Sequence, residues 1–194
     1  MTRRLILLAA GLLVCGMLPA QTAPPWEVWH DLASLAVVRA DDRVELVSSN
    51  CPDGSRFDRH SPGDARFLRT DGEEGVIFEA DGPGAVTRIW MTQGSGISAP
   101  LDADVSIRIR VDGRVVVDLP LPDLFGGTTP PFVPPLVANR RTTSGGNVSY
   151  VPIPYRSSCR ISLVGAEDRT IWYQVHRHRL ERADGVTPFS GAED

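Results

Sequence analysis

From Arg43 onward the chain alternates apolar and polar residues with a period of two, the mark of strands with one buried face. The clearest run is Val105, Ile107, Ile109 and Val111, interleaved with Ser106, Arg108 and Arg110. Asp112-Gly113 then joins it to Val115, Val117 and Leu119, a two-residue hairpin of the favoured kind. Val44, Leu46 and Ser48 alternate in the same way, as do Val76 and Phe78 before the turn Asp81-Gly82-Pro83-Gly84. The pattern next puts Val86, Arg88, Trp90 and Thr92 on one face of a strand, with Thr87, Ile89 and Met91 on the other. Later runs are Val148 to Ile153, Cys159 to Val164 and Thr170 to Leu180. Seven or eight short strands with turn signals between them predict an all-β fold, a jelly roll or β-sandwich. One short helix precedes it, since Trp26, Trp29, Leu32, Ala33 and Ala36 fit a single helical face.

The stretch Pro120 to Gly146 breaks the pattern with six prolines and two Gly-Gly pairs. So long an irregular segment in a compact domain is usually functional or partner-bound. Phe125, Phe132 and Val133 are the expected anchors that pin it down.

The first residues carry an export signal in order. Arg3 and Arg4 are the positive start, Leu5 to Leu18 the apolar run, and Pro19 to Ala23 a small-residue cleavage region. The run is shorter than the roughly 20 residues a membrane-spanning helix needs, and Pro24-Pro25 follow at once. The expected division is 1–23 as signal peptide and 24–194 as one domain. The expected location is periplasmic or extracellular, without stable membrane insertion after cleavage.

The net charge of −4 includes Arg3 and Arg4, so the mature chain is more acidic still. That balance argues against nucleic acid as a partner. The chain has no lysine, which excludes Schiff-base chemistry. Cys51 and Cys159 survive signal removal. An oxidising compartment permits a disulfide between them, worth about 4 kcal/mol for so long a loop; otherwise Cys159 is a buried strand residue and Cys51 a loop residue.

His176 and His178 sit two apart and share a strand face. Such a pair can serve a metal, but no further ligands are marked by spacing, and a polar strand face is the expected role. No Gly-x-Ser-x-Gly elbow or phosphate-binding glycine loop is present. What is left is carboxylate chemistry: Asp58 and Asp64 in a polar loop, Glu73 and Glu74 before a strand. Trp90 could stack on a sugar ring or belong to the core.

Several ordered segments carry a resemblance. Gly82-Pro83-Gly84-Ala85-Val86-Thr87-Arg88-Ile89-Trp90-Met91 is the fullest. Phe57-Asp58-Arg59, Leu124-Phe125-Gly126, Tyr150 to Tyr155, Ser158 to Ile161 and Tyr173-Gln174-Val175 join it in order. Together they resemble glycoside hydrolase family 172, whose members act on difructose dianhydrides and α-D-arabinofuranosides. The resemblance implies a jelly-roll fold, no cofactor, a furanose-containing carbohydrate as ligand, and homo-oligomers whose neighbouring subunits shape the active site. It also implies two jelly rolls in tandem, with the catalytic glutamates in the second. This chain is then expected to be the first roll of a furanoside hydrolase, from a truncated or incompletely recorded gene, with no catalytic pair of its own. Asp58, Arg59, Asp64 and Trp90 are the expected substrate-binding residues. The alternatives are a stand-alone exported carbohydrate-binding or oligomerisation module, and an independent hydrolase using Asp58 or Glu74.

Overall fold

In the computed structural model the described residues are 43–50, 67–94, 101–143 and 145–193. The signal segment, the expected helix at Trp26 to Val38, Cys51, Asp58, Arg59 and Asp64 lie outside them. The described residues form two antiparallel sheets. The strands are β1 (Arg43–Ser48), β2 (Arg69–Asp71), β3 (Glu74–Asp81), β4 (Gly84–Gln93), β5 (Ser106–Val111) and β6 (Arg114–Pro120). After the helix α1 (Leu121–Gly126) come β7 (Val137–Ala138), β8 (Asn147–Ser149), β9 (Ile153–Tyr155), β10 (Ser158–Val164) and β11 (Ile171–Arg179). The first sheet runs β1-β11-β4-β8-β7, with β9 also paired to β4. The second runs β2-β3-β10-β5-β6.

The sheets close on one apolar core. Phe78, Ile107, Ile109, Ile161 and Leu163 come from the second sheet, Ile89, Met91, Tyr173 and Val175 from the first. Each such side chain contributes about 1.5–3 kcal/mol by leaving water. On β5 the alternation holds as read: Ile107, Ile109 and Val111 are buried, and Ser106, Arg108 and Arg110 half-buried outside. Asp112 (φ 50°) and Gly113 (φ 81°) both adopt the left-handed backbone that a tight hairpin turn requires.

Two readings of strand faces are corrected by bulges, which insert one residue and reverse the alternation beyond it. In the β4–β11 pair His176 opposes Arg88 while Arg177 opposes Val86, so Thr87 is the extra residue. Val86 therefore joins Ile89 in the core and does not share the face of Arg88 and Trp90. A second bulge, between Ile109 and Arg110 against β6, leaves Val115 exposed while Val117 is buried.

The described residues hold eleven strands because the Val148 to Ile153 run splits into β8 and β9, the irregular stretch contributes β7, and Arg69–Asp71 adds β2. That stretch also forms α1, with Pro122 in its first turn and Gly127 (φ 78°) closing it. Leu121, Leu124 and Phe125 of α1 are buried, and the helix packs on β5 and β6 of one sheet and β7 and β8 of the other. Phe125 and Phe132 are buried anchors as expected, and Val133 is half-buried. Phe132 packs against Phe189, ring centroids 6.3 Å apart, which ties the residues after β11 to this loop. Cys159 is a free thiol buried on β10 between Ala80 and Val111.

Candidate functional site

β4 is the middle strand of the first sheet, and its outward residues are Arg88, Trp90 and Thr92, all half-buried. Ile89 and Met91, pointing the other way, fix that orientation by burial. Antiparallel pairing places His176 beside Arg88, Gln174 beside Trp90 and Trp172 beside Thr92. The six form an ordered array of three cross-strand rows, spaced about 7 Å along the strands. Arg88 Nη1 donates to Gln174 Oε1 at 3.0 Å and lies 3.2 Å from His176 Nε2. Burial, with the Arg88 charge added, lowers the His176 pKa. The imidazole is thus neutral at pH 7 and accepts the Arg88 proton at Nε2.

The indoles are held from below by glycines. A Cβ on Gly146 would collide with the Trp90 ring at Nε1, and one on Gly94 would lie 2.6 Å from the Trp172 ring. Thr92 Oγ1 donates to the Gly145 carbonyl at 3.1 Å, which fastens the 139–146 turn to this face. Two aromatic rings flanked by planar polar side chains on a rigid sheet make a surface on which a sugar can stack and hydrogen-bond.

The outer face of the second sheet is of another kind. Glu74 is buried and bonded by Arg108 Nη1 at 2.7 Å and by Arg110 Nη1 and Nη2 at 2.5 and 2.6 Å. Hydrogen bonds from Arg110, then Arg108, outweigh the burial penalty and pull its pKa to about 2. Arg108 also meets Asp118 at 2.8 Å. Arg69 and Arg160 share Glu79 at 2.9 and 2.7 Å and Asp71 at 3.3 and 3.0 Å. These charges compensate one another and tie β2, β3, β5, β6 and β10 side by side.

Of the residues expected to bind substrate, Trp90 is on the outer face of β4, not in the core. Asp58, Arg59 and Asp64 belong to the segment that lies outside the described residues. His176 and His178 sit on one face, as their spacing implied, but His176 faces an arginine rather than further ligands. Arg88, Gln174 and Trp172 were not named as site residues, and His176 was weighed only as a metal ligand or a polar strand face. The alternation on β4 and β11 marks their faces; the pairing of the two strands, 86 residues apart at the Arg88–Gln174 bond, is not visible in either segment.

The chain matches the family model for the GH172 first β-sandwich domain over residues 48–194. It belongs to the GH172 family. No curated protein matches it. The two-sheet architecture is the β-sandwich that the GH172 description names, and the matched span takes in every strand from β2 to β11.

Proposed function

We propose that this GH172 chain is the first β-sandwich of an exported furanoside-acting hydrolase, and that it holds sugar rather than cleaving it. Hydrolysis of a glycosidic bond needs two carboxyl groups in different protonation states across the bond. Glu74 is the only buried carboxylate among the described residues, and two arginines hold it ionised with both oxygens occupied. It can neither donate a proton nor reach a sugar carbon. That observation supports the reading: the one enclosed carboxylate among the described residues is committed to the fold, and what this sandwich offers a sugar is the Trp90 face. Homo-oligomer formation and export belong to the same proposal, the latter supported by Arg3-Arg4 and the apolar run Leu5 to Leu18.

The test begins with the full chain expressed from Met1 in a bacterial host with an export pathway and purified from outside the cytoplasm. Its N-terminus should begin near Pro24. With aryl α-arabinofuranosides it should release no aryl alcohol, while methyl α-arabinofuranoside should perturb tryptophan fluorescence in the parent and not in Trp90→Ala. Turnover by the chain alone defeats the proposal, as does fluorescence that the sugar leaves unchanged.

A further inference from the structure

Five half-buried arginines, Arg108, Arg110, Arg160, Arg169 and Arg177, each have a carboxylate oxygen within 2.7 Å. Arg88 is half-buried too, yet it meets no carboxylate among the described residues. Its hydrogen bonds run through Nη1 alone, to the neutral acceptors Gln174 Oε1 and His176 Nε2. Among the described residues Nε and Nη2 have no hydrogen-bond partner, and they are not among the buried polar atoms left without one, so that edge of the guanidinium is open. Nε–H and the adjacent Nη2–H are the parallel pair that grips a carboxylate through both oxygens. Gln174 and His176 fix the plane of the fork from the opposite edge, so little side-chain freedom is left to lose on binding.

We propose that the Arg88 fork binds the carboxylate of a sugar acid whose ring lies on Trp90. The assignment rests on the sugar-binding reading above and deepens it by naming the ligand's charge. Arg88 and Trp90 are two residues apart on one face of β4, about 7 Å, so a ring stacked on the indole can turn an exocyclic group toward the long arginine side chain beside it. A neutral sugar would leave an arginine charge uncompensated against the half-buried face. An acidic one neutralises it in a site that already excludes part of the water.

Fluorescence titration of the full chain with methyl glucuronoside, its uncharged methyl ester and sodium acetate tests this. The free acid should bind at least about tenfold tighter than the ester, the difference expected of a charge-assisted bidentate pair. The preference should shrink as salt rises. Arg88→Gln should abolish the preference, and Arg88→Lys, which keeps charge without the fork, should retain only part of it. Equal binding of acid and ester overturns the proposal, and so does acetate binding as tightly as the glucuronoside. A change in oligomeric state in Arg88→Gln also overturns it, by assigning the fork to a protein carboxylate. If methyl α-arabinofuranoside still binds the parent while acid and ester are indistinguishable, the sugar-binding reading stands and the charge assignment alone falls.

Discussion

Glu74→Gln removes one charge from the most enclosed ionic group of the sandwich while keeping its shape. Glu74 moves from an ordinary 4.5 to about 2 on folding, a drop of about 2.5 units. At about 1.36 kcal/mol per unit this is about 3 kcal/mol of stability for the ionised form over a neutral one. The folded pKa is depressed, so the contribution is fully present above about pH 4.5 and fades as pH falls towards 2. At pH 3 the linkage relation leaves about 1.4 kcal/mol. Arg108 keeps Asp118 as a partner in the variant, whereas Arg110 has no second carboxylate at salt-bridge distance among the described residues; losing one member of a buried pair costs about 3–5 kcal/mol, of the same order. Urea unfolding followed by tryptophan fluorescence should find Glu74→Gln about 3 kcal/mol less stable than the parent at pH 7, with the gap closing by about half at pH 3. A loss below about 1 kcal/mol at pH 7, or a gap unchanged between the two pH values, refutes the reasoning.

Gly146→Ala should destabilise by about 1–3 kcal/mol through overpacking, because its Cβ falls on the Trp90 indole; a thermal melt and a shift in tryptophan emission check it. Asp112 Oδ1 accepts the backbone N–H of Ser157 at 2.7 Å and of Ser158 at 3.0 Å, fastening the β5–β6 turn to the β9–β10 turn. Asp112→Ala should cost about 2 kcal/mol, and Asp112→Asn less, since asparagine tolerates the positive φ; denaturant midpoints separate the two. Burial pushes the Cys159 thiol far above its usual range, so at pH 8 peptide mapping should find Cys159 alkylated by iodoacetamide only after unfolding.

The strands were legible where one face meets oil and the other water, as on β5, and the Asp112-Gly113 turn was legible because few residue pairs accept positive φ at both positions. The bulges were not. Nothing in Ala85-Val86-Thr87-Arg88 announces that Thr87 is the unpaired residue, and a one-residue slip moves every side chain beyond it to the other face. Val86, apolar next to three outward residues, was the one sign that the alternation changes phase there. α1 was hidden because six residues are too few to show a 3.6-residue period, and Pro120 before it and Pro122 within it read as irregular chain. The Arg88 site was hidden for a different reason. Each strand shows its own face, but a site made of two strands exists only in their register, which is a long-range property.

Arginine is spread over both outer faces of this sandwich, and composition alone gives no reason to prefer either as a binding surface. What separates them is compensation. On the second sheet the cross-strand neighbours of Arg108, Arg110 and Arg160 include Asp118 and Glu79, with Glu74 between the first two, so each charge is answered within the fold. Those interactions hold register and leave no charge over for a ligand. On the first sheet the neighbour across from Arg88 is a neutral histidine, and the residue bonded beside it is an amide. The fold orders that guanidinium without neutralising it. Arg88 stands on the central strand, and its hydrogen bonds to Gln174 and His176 hold the side chain over that face. The same bonds hold Gln174 and His176 in register, and the charge they leave uncancelled is the one the proposed carboxylate would neutralise.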